Sequence, residues 1–401
     1  MTDQIAAQAP PFNAAPKPRV IIYAPRLLPW SQTFIRAQAL ALRDWKPILA
    51  GEKLEPKGLP LNSLEHTTLT PTEAGNLNRW MYVTCRLARV AHPPSVRALR
   101  ALQASLFHTH FGTAAVDVWP LVKALKLPML ITLHGADINT HRGWWESGRG
   151  GWRRRRYPAQ LIELSQHKRV HFIAVSQAIQ RRAIEFGIPK DKVTLSYIGV
   201  DTSFFVPSGP PITERKNRIL FVGRLVPNKG LTTLFDAIAR VKKYVPNTEL
   251  LVLGDGPQRA QLESLSASMK VDAKFLGVAS DAEVQAQMGF AKILCQPSET
   301  IENGESEALG IAILEAQSCG LPVISSARGG ATEGIIPGVT GFSFEERDAE
   351  ALAQRILMLF SNQEILQSAS NSAIRFAQEK FNISTCTKTL ESIYEQVSQR
   401  L

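Results

Sequence analysis

The sequence predicts an α/β protein of two doubly wound, parallel-sheet domains that face each other across a central cleft. Three observations predict it. From Val20 onward, short β-branched runs alternate with amphipathic stretches of helical length. The alternation breaks once, at 206-VPSGPPITERKN-217, and then restarts. The chain has 401 residues, enough for two or three domains at about 100–200 residues each.

Taken in order, residues 1–17 are rich in Ala, Pro and Gln and are expected to form a disordered tail. Residues 20–23 read as a strand and 31–42 as a helix with Ser31 at its N-cap. Strands at 107–110 and 129–133 flank a helix at 113–125, and a strand at 171–175 leads into a helix at 176–186. These elements make an N-terminal, acceptor-side domain over 18–205. Three prolines, a glycine and several charges mark 206–217 as the linker. A second domain, 218–375, repeats the pattern with strands at 218–222, 249–253, 291–295 and 322–325. Its helices are expected at 231–243, 258–269 and 307–319, and residues 376–401 as a C-terminal helix returning to the first domain. Ligands of such sheets sit beyond the carboxyl ends of the strands, so the cleft is the default site.

Composition narrows the function. Apolar residues make up 44% and charged residues 20%, which supports packed cores and excludes a disordered or collagen-like chain. Apolar stretches such as 127-LPMLITL-133 fall far short of the roughly 20 residues that a membrane span needs. The start, MTDQIAAQAPPFNAAPKPR, lacks the apolar core of a secretory signal. Cys85, Cys295, Cys319 and Cys386 are scattered, which argues against zinc and disulfides and fits a reducing cytoplasm. Residues 1–200 hold 27 Lys/Arg against 12 Asp/Glu, whereas residues 201–401 hold 19 against 23. The first half is therefore expected to meet an anionic surface or partner.

Several segments carry chemistry. In 218-RILFVGRLVPNKG-230 a strand runs into Gly223, a basic loop follows, and a helix begins after Gly230. Arg224 and Lys229 would stand where free helix N–H groups already favour an anion, and two cations there suit a diphosphate. A solvated basic loop would read the same way. In 253-LGDGPQR-259, Gly254 and Gly256 would let backbone amides face the cleft, or would serve a tight turn. Glu307 and Glu315 are eight residues apart on the expected helix 307–319 and would share one side of it. Buried carboxylates need partners, and vicinal sugar hydroxyls are suitable ones; a helix cap and an internal salt bridge are the plainer alternatives. His134, in 131-ITLHGADI-138, could donate to a substrate oxygen from a strand end, although such histidines are more often structural. His108 and His110 are read as facing opposite sides of their strand. No DxD occurs and no HxxxH falls on an expected helix, so a tightly held metal is not expected.

Together these residues resemble the family-4 retaining glycosyltransferases, which have the GT-B fold of two facing Rossmann-like domains. The resemblance rests on GRLVPNKG, LGDGP, the glutamate pair in EALGIAILEAQSCGLPVIS, 328-RGGATEGI-335 with 341-GF-342, LHGAD, and 198-IGVDTSFF-205. It covers about residues 20–400, and 26-RLLPWSQTFIRAQ-38 is similar to the exopolysaccharide and colanic-acid branch. It implies that Gly223, Arg224 and Lys229 meet the donor diphosphate. Glu315 would take the ribose hydroxyls and Glu307 the transferred sugar. Ala308, Leu309, Gly310 and Ile311 would offer backbone amides, Gly254 and Gly256 would line the nucleotide, and His134 would lie near the reacting centre. It further implies a nucleotide-sugar donor, a glycan or lipid-linked acceptor, and neither cofactor nor metal. Two departures stand out. The loop 23-YAPRLLPWSQT-33 has no glycine, and the acidic run 299-ETIENGE-305 is an addition that bears on the sugar pocket.

The segment 142-RGWWESGRGGWRRRRYP-158 gathers Trp144, Trp145 and Trp152 with Arg153, Arg154, Arg155 and Arg156. Tryptophan favours the bilayer interface and arginine favours anionic head groups. A peripheral contact with the inner face of the membrane is expected, beside the acceptor side of the cleft; a solvated loop is the alternative. A sugar-nucleotide epimerase or phosphorylase and a non-catalytic carbohydrate- or nucleic-acid-binding protein are the competing functions. Nucleic-acid binding gives no reason for Glu307, Glu315 and the basic loop to occur together, and no nucleic-acid partner is expected.

Overall fold

The structure is a computed structural model that describes residues 16–399, apart from 57, 62 and 71–75. Nearly all of the expected tail, residues 1–15, lies outside the described residues. The first domain contains β1 (Arg19–Tyr23), β2 (Arg26–Leu27), β3 (Lys46–Gly51), β4 (Lys53–Leu54) and β5 (Glu65–Thr68). These are followed by β6 (Leu106–His110), β7 (Met129–Leu133), β8 (Val170–Ala174) and β9 (Val193–Leu195). Seven strands form one parallel sheet in the order β5-β3-β1-β6-β7-β8-β9, and β2 pairs separately with β4. The second domain contains β10 (Arg218–Val222), β11 (Glu249–Leu253), β12 (Lys274–Gly277), β13 (Ile293–Gln296), β14 (Val323–Ser326) and β15 (Gly341–Phe344). Its parallel sheet runs β12-β11-β10-β13-β14-β15. In each sheet the chain works outward to one edge, returns beside the first strand and works outward to the other. The switch points fall between β1 and β6 and between β10 and β13, where ligand crevices form.

Strands buried on both faces explain the near-continuous apolar runs. Every residue of β7 and β8 is buried, as helices covering both sides of a parallel sheet require. The strands absent from the sequence reading include both polar edges: β5 is Glu-His-Thr-Thr and β12 is Lys-Phe-Leu-Gly, without the apolar run that marks a central strand.

Three local readings are corrected. Ser31 caps no helix: a 3₁₀ turn over Trp30–Gln32 feeds the helix Thr33–Ala41, whose start has no side-chain cap. The helix expected at 307–319 spans only Ile311–Ser318, because Gly310 takes φ +80° and ends the preceding loop there. Glu307 is therefore on a loop, and helical geometry does not relate it to Glu315. His108 and His110 share a face rather than opposing each other, because side chains two apart on a strand point the same way. Their rings lie 4.6 Å apart.

The C-terminal segment is two helices, Gln363–Lys380 and Ile383–Ser398. The chain passes Val200 between them, where Val200 N–H donates to Phe381 O and Ile383 N–H to Val200 O. The last helix packs on the first domain. There the buried Glu391 carboxylate accepts from the amides of Arg43, Asp44 and Trp45 at 2.8, 2.7 and 3.1 Å. Three N–H donors satisfy a charge that would otherwise be costly to bury.

Candidate active site

The loop after β10 carries the two predicted cations. Arg224 is exposed and has no ion pair or side-chain hydrogen bond among the described residues. Lys229 closes a 3₁₀ turn over Pro227–Lys229, just before the helix Leu231–Val241, whose start no side chain caps. The Lys229 ammonium lies 2.5 Å from Glu307 Oε2. The two residues assigned to diphosphate and sugar thus meet at one point. Burial alone would push the Glu307 carboxyl up. Lys229, with hydrogen bonds from Ser298 and the Ala308 amide, instead holds it below its ordinary value.

Glu315 sits nearby in sequence and opposite in character. It is half-buried on the helix Ile311–Ser318 and has no hydrogen-bond partner among the described residues. Burial, reinforced by Asp281, pushes its carboxyl up to about 8. The start of this helix is uncapped at Gly310, leaving N–H groups for a ligand beside Ala308 and Leu309.

The glycines differ from expectation. A Cβ on Gly254 would stand 1.9 Å from Gly223 O, and one on Gly256 would stand 2.4 Å from Leu225 O. They allow the loops after β10 and β11 to pack backbone against backbone. Their amides do not face the cleft: Gly254 N–H donates to Gly277 O, and Gly256 N–H to Asp255 Oδ1. The Gly223 amide is likewise taken, by Leu253 O.

In the first domain, His134 follows β7 and stacks on His110, with Nε2 2.9 Å from His110 Nδ1. His108 lies next in the row and pairs with Tyr394 of the last helix and with Thr132, both at 2.7 Å. Burial drives all three imidazoles toward neutrality. It takes His110 down to about 3 and, with neighbouring histidines adding to the effect, His108 and His134 well below the usual value. Asp137 sets the loop. Its carboxylate accepts from Gly112 N–H at 2.8 Å and His134 N–H at 3.1 Å, although burial lifts it to about 6. The sequence reading quoted Asp137 within LHGAD without giving it a task.

The domains meet through specific contacts. A Cβ on Gly135 would stand 3.0 Å from Ala308 Cβ, so the His134 loop abuts the segment that follows Glu307. Ser176 Oγ donates to Ala308 O at 2.7 Å. Glu333, from 328-RGGATEGI-335, caps a first-domain helix by accepting from Gln177 and Ala178 N–H, both at 2.9 Å, and from Tyr197 O–H at 2.8 Å. The acidic run also bridges, with His141 N–H donating to Asn303 O and Arg149 pairing with Glu302 at 3.0 Å. No local sequence pattern signals these partners, since they come from opposite halves of the chain.

The tryptophan–arginine segment is only partly free. Trp144 and Trp145 are half-buried: Arg149 stacks over Trp144, and Trp145 packs on Tyr157. Arg154 is bound to Asp117 and to Thr113 O. Trp152 is 78% exposed, with Arg153 over its ring. Among the described residues there is no group of three or more His, Cys, Asp or Glu placed to hold a metal, and no helix long and apolar enough to cross a membrane.

Two facing doubly wound domains, with a cationic loop and two carboxylates near one sheet edge and histidines near the other, have the GT-B architecture. A family model described as Glycosyltransferase Family 4 matches residues 62–204, and one described as Glycosyl transferases group 1 matches residues 206–376. The chain belongs to the family-4 glycosyltransferases. It is 27% identical to the amylovoran biosynthesis glycosyltransferase AmsK of Erwinia amylovora, over 74% of this chain and 71% of the relative. It is 26% identical to the putative colanic acid biosynthesis glycosyltransferase WcaL of Escherichia coli, over 73% and 71%. Among solved structures, Anabaena Alr3699/HepE in complex with UDP and glucose superposes with a TM-score of 0.74 at 20% identity, covering 94% of this chain and 99% of that one.

Proposed function

We propose that this glycosyltransferase moves a sugar, with retention of configuration, from a nucleoside-diphosphate donor to a glycan or lipid-linked acceptor in extracellular polysaccharide synthesis. The carrying observation is the Lys229–Glu307 pair, which shares its loop with Arg224, a cation with no ion pair among the described residues, and precedes the uncapped start of helix Ile311–Ser318. The bond from the anomeric carbon to the diphosphate breaks, and the acceptor oxygen bonds on the same face. The acceptor's proton passes to the departing diphosphate. Arg224 and Lys229 stabilise the charge growing on that leaving group, and fixed cations do so without reorganising. Glu307 holds the transferred sugar, Glu315 the ribose hydroxyls, and amides at Leu309–Ile311 the phosphate or sugar, the Ala308 amide being taken by the Glu307 carboxylate. Gly254 and Gly256 shape the nucleotide pocket by close packing. Neutral His134 approaches the reacting centre as a hydrogen-bond partner. The cations give the diphosphate its counter-charge, so the reaction proceeds without a metal. Trp152 with Arg153, Arg155 and Arg156 meets the anionic inner face of the membrane.

The test is a nucleotide-sugar panel read by thermal shift, followed by turnover with the best donor and a lipid-linked acceptor. One donor should stabilise the protein and be consumed only when acceptor is present. Consumption of donor alone, or stabilisation by none, would remove the reading.

A further inference from the structure

A cavity of about 660 Å³ opens in the first domain, and none of the donor-side residues lines it. It lies between the helix Asn76–Ala88, the helix Gly112–Leu125 and the segment 152–160. Its walls carry six arginines (Arg86, Arg89, Arg153, Arg154, Arg155 and Arg156) against two carboxylates, Glu52 and Asp117. Both carboxylates are occupied. Arg86 lies 2.6 Å from Glu52, and Asp117 lies 3.7 Å from Arg86 and 2.9 Å from Arg154. Arg89, Arg153, Arg155 and Arg156 make no ion pair among the described residues. A cavity with this surplus of guanidinium groups is suited to an anion with several oxygens.

The neighbouring helix adds an independent observation. Leu77 is 85% exposed, Trp80 67% and Leu87 55%, with Val83 exposed between them. At 100° per residue these four fall within about 120° of arc. Tyr82, on the opposite side, is buried against the cavity. An apolar ridge bearing a tryptophan, flanked by arginines, is the pattern of a helix lying in a membrane interface. A water-soluble anion would satisfy the cavity and leave the ridge in water. A lipid satisfies both.

We infer that this cavity binds the terminal phosphate or diphosphate head of a membrane lipid while the ridge of helix Asn76–Ala88 rests in the bilayer interface. This rests on the proposed contact with the anionic membrane and names the head group that the contact takes. It also explains why four arginines converge on one cavity, since a terminal phosphate presents more charge and more acceptor oxygens than a phosphodiester head.

The experiment is co-sedimentation of the full chain with three kinds of vesicle: phosphatidylcholine alone, with phosphatidylglycerol, or with phosphatidic acid at matched mole fraction. The parent should bind the phosphatidic-acid vesicles most tightly. Arg89→Ser and Arg156→Ser should each weaken that binding about fivefold and reduce the preference over phosphatidylglycerol. Leu77→Ser with Trp80→Ser should weaken binding to both anionic vesicles while leaving inorganic pyrophosphate binding, read by thermal shift, intact. Equal binding of the parent to both anionic vesicles would overturn the proposal. So would retention of the preference in both arginine variants, or pyrophosphate binding with no vesicle binding, which marks a free-anion site. Melting temperature and UDP or GDP affinity, measured on the same samples, separate the two readings. Loss of vesicle preference with nucleotide binding intact removes the lipid site alone, whereas vesicle binding without nucleotide binding removes the donor site alone.

Discussion

The two switch points of this molecule share a topology and differ in electrostatics. At the carboxyl edge of the second sheet, groups are charged or poised to charge: Arg224 has no ion pair among the described residues, Lys229 and Glu307 form one, and Glu315 is held near 8. At the carboxyl edge of the first, three histidines stack and burial keeps each neutral. On the proposed function, a departing diphosphate would need the fixed charge of the second edge, and a reacting anomeric centre would need a hydrogen-bond partner that does not compete as a cation. Equivalent strand ends thus carry opposite electrostatics on one fold. The difference is sharper still within the second domain, where Glu307 is held below its ordinary value by an adjacent ammonium and Glu315 is raised by burial and by the Asp281 charge.

Breaking the charged edge should give the largest effects. Glu307→Gln should lower turnover by about 100-fold, as expected for a group that acts in the transition state. Nucleotide affinity should hold or rise, because Lys229 is released from its partner. Affinity falling in step with turnover would instead make Glu307 a structural support. Lys229→Ala and Arg224→Ala should each weaken nucleoside-diphosphate binding by about 1.5–3 kcal/mol in calorimetry, the scale of a charge-assisted hydrogen bond. Lys229→Ala should in addition raise the Glu307 carboxyl, since its cation is gone while its burial remains. Unchanged affinity in both variants would take the diphosphate away from this loop.

Smaller effects should follow pH. Glu315 is raised from 4.5 to about 8 in the folded chain, so the unfolded chain releases this proton first. Its contribution therefore costs stability progressively as pH rises from 4.5 to 8. Glu315→Gln should raise the melting temperature near pH 8, by about 1–2 kcal/mol of stability after allowance for partial exposure, and do little near pH 4. The same variant should weaken nucleotide binding. In the parent, ribose hydroxyls donating to the carboxylate should favour its ionised form, so affinity should increase from pH 6 to 8 and then level. The histidine edge should contribute no titration over that range, because its imidazoles are already neutral; a rate profile with a limb near 6.5 would contradict it. The smallest expected effect is that of chelation: turnover should survive excess EDTA, and loss restored by magnesium or manganese would place the diphosphate elsewhere.

Much of this was written locally in the chain. Central strands β1, β7, β8, β10 and β11 announce themselves through largely apolar runs, because burying both faces of a strand favours apolar side chains. The basic loop after β10 is legible because strand, glycine, cations and helix follow one another within thirteen residues. The polar edge strands and the true start of the helix at Ile311 depend on backbone placement that composition does not display, whereas the shared face of His108 and His110 follows from the two-residue period of a strand. What tertiary structure alone decided is pairing across long separations. Lys229 meets Glu307 across 78 positions, Glu333 caps a helix more than 150 residues away, and Tyr394 reaches His108 across 286. Local patterns report which face of an element is buried. The identity of the group that neutralises a buried charge is set only when distant loops arrive at the same place.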